Sequence, residues 1–182
     1  MSIRIRPAQF PEDAAAVQFL FRGYAASLGI DLTFQQFQHE LDSLPGKYAG
    51  SQRGALLIAY PDRKDHLHQS PPPSPLGCVA LRRSSDGWCE MKRLYVVSEA
   101  RGAHLGERLV DSILAHAKTL GYRGIRLDTL RDMTAAQRLY RKYGFVEIPA
   151  YYDTPIEDTI SMGFKFSKED DQEKVMEFEP MA

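Results

Sequence analysis

The sequence is poor in cysteine and carries almost no net charge. Its two cysteines, Cys78 and Cys89, form neither a CxxC pair nor a Cys/His spacing typical of a metal site. The formal net charge of −1 at pH 7 gives no electrostatic basis for nucleic acid or an anionic membrane as the main partner. Both cysteines fall in predicted strands, so we expect buried thiols in a reducing compartment.

Long apolar runs are also missing. No run approaches the length needed to span a membrane, and the first ten residues, MSIRIRPAQF, lack the apolar core of a signal peptide. We therefore expect a cytoplasmic protein. With 182 residues, of which 43% are hydrophobic and 26% charged, the chain is long enough to bury an ordinary core without disulfides or metal ions.

The spacing of apolar residues predicts one α/β domain over residues 1–166. The order is one strand, two helices, three strands, a helix, a strand, a helix and two strands. The predicted strands are SIRIRPA, GALLIAY, LGCVALRR, WCEMKRLYVV, YRGIRLDTL, FVEIPAYY and TISMGFKF. This order predicts a mixed central sheet of about seven strands with helices covering it.

Two segments do not fit this pattern. Residues 61–75 contain five prolines among polar residues, which predicts an exposed, flexible loop. His66 and His68 form an HxH pair within that loop, but no further ligand lies nearby, so we expect no metal site there. Residues 167–182 are charged and lack periodicity, which predicts a frayed tail.

Residues 93–114, RLYVVSEARGAHLGERLVDSIL, join a strand to a helix through a glycine-bearing loop. Such a junction can bind an anion through the free backbone N–H groups of the helix N-terminus. The segment lacks the Lys-Ser/Thr pair of a P-loop, and its glycines do not form the GxGxxG of a dinucleotide-binding fold. The pattern that remains is R/Q-x-x-G-x-G/A, which runs here from Arg101 to Gly106.

Two segments resemble the acetyl-CoA-binding segments of the GNAT superfamily of N-acetyltransferases. They are MKRLYVVSEARGAHLGERLVDSILAHAKTLGY, residues 91–122, and AAQRLYRKYGFVEI, residues 135–148, which contains A-x-x-L-Y-x-x-x-G-F. They lie one strand apart, as in the family. The resemblance implies a GNAT fold with helices on both faces of the sheet and acetyl-CoA as co-substrate. It also implies direct transfer of the acetyl group to a primary amine in a ternary complex, and no cysteine lies in either segment to carry the acyl group.

The cofactor loop departs from the family at His104, which stands where the family has a glycine. Because the phosphates are held mainly by backbone N–H groups, a side chain at this position is tolerable if its φ is negative. We therefore expect His104 to face solvent from the first turn of the helix. The resemblance assigns the phosphate contacts to Arg101, Gly102, Ala103, His104, Leu105, Gly106 and Glu107, and the pantetheine contacts to the main chain of Leu94, Tyr95 and Val96.

The second segment departs from the family at Met133, which replaces an asparagine commonly found three residues before the alanine, here Ala136. Tyr140 occupies the position where the family's tyrosine points at the sulfur of coenzyme A. Its reference pKa, about 10, suits a proton donor to the departing thiolate. The alternative for a helical tyrosine beside Leu139 is core packing.

Glu90 falls where many GNAT enzymes carry a general base. Strand alternation places it with Lys92 and Leu94 on one face, and Arg93 on the other. Proton transfer from an alkyl ammonium to an ordinary glutamate is uphill by roughly 8 kcal/mol. Glu90 must therefore have a raised pKa, act through water or meet an amine with a lowered pKa. The alternative is a structural ion pair between Glu90 and Lys92.

Three functions remain open from the sequence. The first is acetylation of a small-molecule or amino-acid-like primary amine. The second is acetylation of a peptide or protein amine, and the third is acyl-CoA binding without catalysis, which the departures at His104 and Met133 permit. Tyr24, Tyr151 and Tyr152 fall where the family builds the walls of its acceptor site, although each is equally consistent with packing. The oligomeric state is not determined by the sequence, which leaves a homodimer open.

Overall fold

The computed structural model describes residues 2–29, 36–62, 73–156 and 158–167, and within them the chain forms seven strands and four α-helices. The helices are α1 (Ala14–Leu28), α2 (Phe37–Asp42), α3 (Leu105–Thr119) and α4 (Thr134–Lys142). The strands are β1 (Ile3–Pro7), β2 (Ala55–Pro61), β3 (Gly77–Arg83), β4 (Trp88–Val96), β5 (Gly124–Leu130), β6 (Val146–Glu147) and β7 (Thr159–Lys165). Three short 3-10 helices, Gly46–Tyr48, Gly50–Gln52 and Ser98–Ala100, complete the regular structure of these ranges.

The seven strands form one mixed sheet in the order β1-β2-β3-β4-β5-β7-β6. The β4–β5 pair is parallel and the other neighbouring pairs are antiparallel. Helix α3 connects the two parallel strands, as a parallel crossover requires. The predicted fold class, a mixed α/β domain with a sheet of about seven strands, is confirmed.

Helices cover both faces of the sheet. On one face α1 and α2 bury Val17, Leu20, Phe21 and Leu41 against β2 and β3. On the other face the apolar stripe of α3 and part of α4 pack against the strands. The amphipathic spacing read in the sequence therefore corresponds to real packing faces.

Both cysteines are buried in this sheet as free thiols, as expected. None of the helices in the described ranges is long and apolar enough to cross a membrane. Much of the proline-rich stretch, with His66 and His68, lies outside the described residues, as does the chain from residue 168 onward. The predictions made for those segments stay predictions.

The prediction of a strand over FVEIPAYY is wrong for most of its length. Strand β6 contains only Val146 and Glu147, which pair with Gly163 and Met162 of β7. One further hydrogen bond, from the amide of Ile148 to Ser161, continues the ladder. Pro149 follows and has no amide hydrogen to donate, so the pairing ends there and residues 148–156 cross the end of the sheet as an irregular segment.

A β-bulge interrupts the alternation of β4. Cys78 pairs with Tyr95, whereas Ala80 pairs with Lys92, so β4 has one residue more than β3 between these pairs. Arg93 lies in the extra stretch with a φ of 57°. The expectation that Leu94 shares a face with Glu90 is therefore wrong, because Leu94 packs on the α3 side of the sheet.

The bulge places the Arg93 side chain on the α1 and α2 face, where it pairs with Glu40. Nε and Nη2 of Arg93 donate to the two carboxylate oxygens of Glu40, each over 2.9 Å. Tyr48 Oη and Lys47 Nζ also donate to this carboxylate, each over 2.8 Å. Burial alone would raise the pKa of Glu40, but the hydrogen bonds and charges of Arg93 and Lys47 outweigh it and lower the pKa to about 2.

This ion pair predicts a specific loss of stability in acid. The pKa of Glu40 in the folded protein, about 2, lies below its ordinary value of 4.5. The ionised carboxylate therefore contributes fully above pH 4.5, and the contribution, about 3 kcal/mol, disappears as the pH falls towards 2. Urea unfolding should show Glu40→Gln less stable than wild type at neutral pH, with the difference narrowing through this window. A difference independent of pH would contradict this.

Candidate active site

A groove opens where β4 and β5 separate. The two strands pair only from Trp88 to Glu90, opposite Gly124 to Arg126. No later pairing between them occurs within the described residues, so the edge of β4 that faces β5 is open over Leu94–Val96. Such an edge presents backbone groups that can hydrogen-bond an extended ligand.

The groove, of about 470 Å³, runs from this open edge to the N-terminus of α3. It brings together the residues assigned to the cofactor by resemblance, except Ala103. Those that line it are Leu94, Tyr95, Val96, Arg101, Gly102, His104, Leu105, Gly106 and Glu107. The arrangement joins an open strand edge to the unpaired N–H groups of a helix start.

His104 adopts the left-handed conformation immediately before α3, with a φ of 53°. The expectation of a negative φ is therefore wrong, and the loop keeps the backbone conformation that a glycine would adopt readily. Histidine is among the residues enriched in this region of φ/ψ space. The expected exposure is confirmed, since the side chain is 78% exposed and its Nδ1 lies 3.3 Å from Oε1 of Glu107.

Two charged side chains flank the helix start. Nε of Arg101 donates to the carbonyl oxygen of Val96 over 3.3 Å, which links the loop to the end of β4. Glu107 lies in the first turn of α3, where its charge would oppose an anion. Its Oε2 accepts a hydrogen bond of 2.6 Å from Lys142 Nζ on α4, so the local charge is balanced.

A second cavity, of about 110 Å³, adjoins the groove at the end of the open edge. Tyr24, Leu94, Met133 and Ala136 line both spaces. Met133, the residue that replaces the family's asparagine, thus lies at their junction. The groove and the cavity thus adjoin at these four residues.

Tyr140 lines this second cavity. The residue is 7% exposed, and its ring packs against Phe145 with centroids 5.8 Å apart. Burial raises the pKa of the Tyr140 phenol, so the hydroxyl is protonated at neutral pH. The side chain therefore both packs in the core and presents a protonated phenol at the cavity.

Glu90 does not line the cavity and is held by two cations. Its Oε2 lies 2.6 Å from Nη2 of Arg82, the residue opposite it on β3, and its Oε1 lies 3.2 Å from Nζ of Lys92. Burial would raise the pKa of Glu90, but the charges of Lys92 and Arg82 lower it further than burial raises it. These contacts agree with the ion-pair alternative and add Arg82 to it.

Asp128 is the carboxylate that does line the cavity, and the sequence reasoning missed it. Ser161 Oγ donates to its Oδ1 over 2.9 Å. No lysine or arginine of the described ranges forms an ion pair with it. The feature of the sequence that could have indicated Asp128 is a single carboxylate within the predicted strand GIRLDTL.

The irregular segment after β6 places two tyrosines near Asp128. Tyr152 lines the cavity, whereas the Tyr151 ring stacks 3.9 Å from the guanidinium of Arg126. Burial raises the pKa of Tyr151, and the negative charges of Glu90 and Asp128 raise it further. The pKa of Tyr152 is raised in the same way, first by burial and then by Asp128. Both phenols are thus protonated near a carboxylate.

Gly106 offers a test of the groove that leaves the fold intact. An added Cβ would meet only Leu139 Cδ2, at 3.7 Å, which is an ordinary contact. Gly106→Ala should therefore keep or raise the melting temperature, because alanine favours a helix by about 1 kcal/mol over glycine. The methyl group would keep a bound phosphate away from the backbone, so we expect the Kd for acetyl-CoA, measured by calorimetry, to rise about tenfold. An unchanged Kd would contradict phosphate binding by the backbone at the N-terminus of α3.

The two parallel strands of the mixed sheet separate in front of a helix N-terminus, and a cavity with a buried phenol lies beside them. This is the architecture of a GNAT acetyltransferase. Residues 54–147 match the family model described as acetyltransferase (GNAT) domain. An uncharacterized N-acetyltransferase of Schizosaccharomyces pombe is 38% identical over 168 residues, covering 92% of this chain and 97% of that protein. The chain belongs to the GNAT acetyltransferase family.

Solved structures agree on the fold. The PaiA N-acetyltransferase of Thermoplasma acidophilum, in complex with coenzyme A, superposes with a TM-score of 0.69 at 20% identity, covering 91% of this chain and 100% of that chain. A chain of the NatC complex bound to Gag peptide and CoA superposes with a TM-score of 0.66, also at 20% identity, covering 92% of this chain and 100% of that chain. The family resemblance read in the sequence is confirmed.

Proposed function

We propose that this protein transfers the acetyl group of acetyl-CoA to the primary amine of a small molecule or amino-acid-like acceptor. The observation that carries the proposal is that the groove adjoins a cavity lined by both a protonated phenol, Tyr140, and a carboxylate, Asp128. A thioester that lies along the groove would reach both groups, and the chemistry of amide formation needs both.

The groove suits coenzyme A along its whole length. The N-terminal turn of α3 offers backbone N–H groups to the pyrophosphate, with the helix dipole favouring negative charge. The open edge over Leu94–Val96 offers main-chain partners to the amides of the pantetheine arm. The coenzyme A complex of the similarly folded PaiA enzyme supports this placement.

The transfer requires one proton to leave the amine and one to reach the thiolate. Asp128 would accept hydrogen bonds from the acceptor's ammonium group and relay the proton that must leave before attack to water. The neutral nitrogen then attacks the acetyl carbonyl, the carbon–sulfur bond breaks, and Tyr140 supplies a proton to the departing sulfur. Direct transfer accounts for both protons with the two side chains that line the cavity.

Glu90 has a different role in this proposal. Its carboxylate is bound between Arg82 and Lys92, which hold it in its ionised form and organise the sheet beside the cavity. The hypothesis that Glu90 is the general base stays a prediction, and the comparison of Glu90→Gln with Asp128→Asn decides between the two carboxylates.

The cavity wall combines apolar side chains, which suit the body of an amine, with the cations Lys92 and Arg93. Leu28 and Ile156 close the cavity with apolar side chains, and Tyr24 and Tyr152 present aromatic rings. Asp128 is the charge complement of an ammonium group. A peptide acceptor is the second candidate, because the similarly folded chain of the NatC complex was solved with a peptide bound.

Release of coenzyme A from acetyl-CoA, followed with a thiol reagent over a panel of acceptors, tests the proposal. We expect release that depends on small primary amines, with the acetylated amine identified by mass spectrometry. Release that depends only on peptides would replace the small-molecule acceptor with a peptide. Acetyl-CoA binding without release by any amine would indicate a non-catalytic binding module.

A further inference from the structure

A buried ion pair lies between the β4 bulge and helix α2, and its arginine, Arg93, lines the cavity next to the groove. The guanidinium of Arg93 is bound at two points by the carboxylate of Glu40, and both side chains are almost fully buried. The rings of Phe21, Tyr24 and Phe37 surround the guanidinium, with centroids 6.0, 5.4 and 5.2 Å from Cζ. Nothing in the proposed transfer chemistry uses this pair.

The backbone at Arg93 is in a conformation that a non-glycine residue does not favour. Its φ of 57° lies in the left-handed region, where the Cβ of an L-residue is crowded by the following carbonyl. Such a conformation persists only when the surrounding structure determines it. Here the two hydrogen bonds to Glu40 fix the side chain, and Cys78 Sγ approaches the Arg93 carbonyl oxygen at 3.3 Å.

The same residue lies where β4 leaves β5. The pairing of the two strands ends at Glu90, and the bulge follows at once, before the open edge over Leu94–Val96. Helix α1 packs closely against the bulge on this face. The contact is so close that a Cβ on Gly23 would lie 2.8 Å from the ring of Tyr95. The bulge is therefore fixed from the α1 and α2 face, next to the groove that Tyr24 and Tyr95 line.

We propose that Arg93 and Glu40 are a positioning pair that holds the β4 bulge in its left-handed conformation and so keeps the acetyl-CoA groove open. The inference rests on the proposed function only in naming acetyl-CoA as the ligand. Without the pair, the strand relaxes towards regular alternation, and only a fraction of the molecules present the open edge. The measured affinity falls in proportion to that fraction.

Substitutions at Arg93 separate this role from simple packing. Arg93→Ala removes the hydrogen bonds to Glu40 but keeps the free-energy cost of a positive φ. Arg93→Gly removes both the hydrogen bonds and that cost. We expect acetyl-CoA to bind Arg93→Ala about tenfold more weakly than Arg93→Gly, by calorimetry on folded protein. Either variant leaves Glu40 paired with Lys47 and Tyr48.

A control lies on the edge strand β1, where Arg6 binds the buried Asp13 with an Nη1–Oδ2 distance of 2.5 Å. Arg6→Met removes an arginine from a partly buried pair outside the groove and the cavity, and we expect this variant to bind acetyl-CoA as the wild type does. If Arg93→Ala does not fold, Arg93→Asn and Arg93→Gln replace the first two variants, because asparagine tolerates the left-handed conformation and glutamine does not.

The outcomes are distinct. Weaker binding by the alanine or glutamine variant than by its glycine or asparagine counterpart supports the positioning role. Equal affinities within each pair would overturn it, whether both match wild type or both are weakened. If the affinities follow the expected order but no amine is acetylated, the proposed function fails while this inference stands. A wild type that does not bind acetyl-CoA would overturn both.

Discussion

Tyr140→Phe should lower kcat for acceptor-dependent release of coenzyme A by roughly two to three orders of magnitude, in the range found for loss of a general acid. Without the phenol, the thiolate leaves unprotonated, and the barrier to breaking the carbon–sulfur bond rises. The KM for acetyl-CoA should change little, because the groove binds the cofactor through other groups. Initial rates at saturating acceptor measure the effect.

The fold should tolerate this change. The Tyr140 hydroxyl makes no hydrogen bond within the described residues, and the ring that packs on Phe145 is retained. Tyr122→Phe is the control, because Tyr122 lines neither the groove nor the cavity. Its hydroxyl donates to the carbonyl oxygen of Arg53, which also lies outside both. Full turnover by Tyr140→Phe across the pH range would exclude the acid role.

The raised pKa of Tyr140 also determines the shape of the pH profile. Burial moves the pKa of its phenol above the ordinary value of 10.0, so the donor stays protonated in mildly alkaline solution. The rate should therefore rise as the acceptor amine loses its proton, with no fall from ionisation of Tyr140 below about pH 10.

Asp128→Asn should reduce kcat/KM for the amine by roughly two to three orders of magnitude. The substitution keeps the shape of the side chain and its contact with Ser161, but it removes the charge that attracts the ammonium group and the oxygen that accepts its proton. Affinity for acetyl-CoA should remain close to that of wild type. Calorimetry and steady-state kinetics on the same preparation separate the two effects.

Glu90→Gln provides the comparison that decides between the two carboxylates. Glu90 is paired with Arg82 and Lys92, so its replacement should lower stability and reduce kcat/KM less than Asp128→Asn does. A larger loss of turnover in Glu90→Gln than in Asp128→Asn would identify Glu90 as the base.

Much of the fold could be predicted because local rules govern it. Alternating apolar residues in short runs gave the strands, and three- and four-residue spacing gave the helices α1, α3 and α4. The glycine-bearing loop before α3 predicted an anion site, since the unpaired N–H groups of a helix start follow from its geometry. The motif around Tyr140 predicted its role as a proton donor, which stays a prediction.

The parts that were missed depend on contacts between distant segments. A strand period of two cannot anticipate the bulge at Arg93, because the extra residue is stabilised by Glu40, far earlier in the chain. Arg82 meets Glu90 only through the register of β3 against β4. Asp128 becomes part of a site only when the segment after β6 folds over it, and its pairing with Ser161 of β7 is equally non-local.

Direct transfer to a small amine is tested by the initial-velocity pattern of the wild-type protein, with the concentrations of acetyl-CoA and of the best small amine both varied. Lines that intersect in the double-reciprocal plot, with acetylated amine as the product, are predicted, because direct transfer requires both substrates to be bound in one ternary complex. Parallel lines, which indicate an acyl-enzyme, or no amine-dependent release of coenzyme A at all, would contradict it.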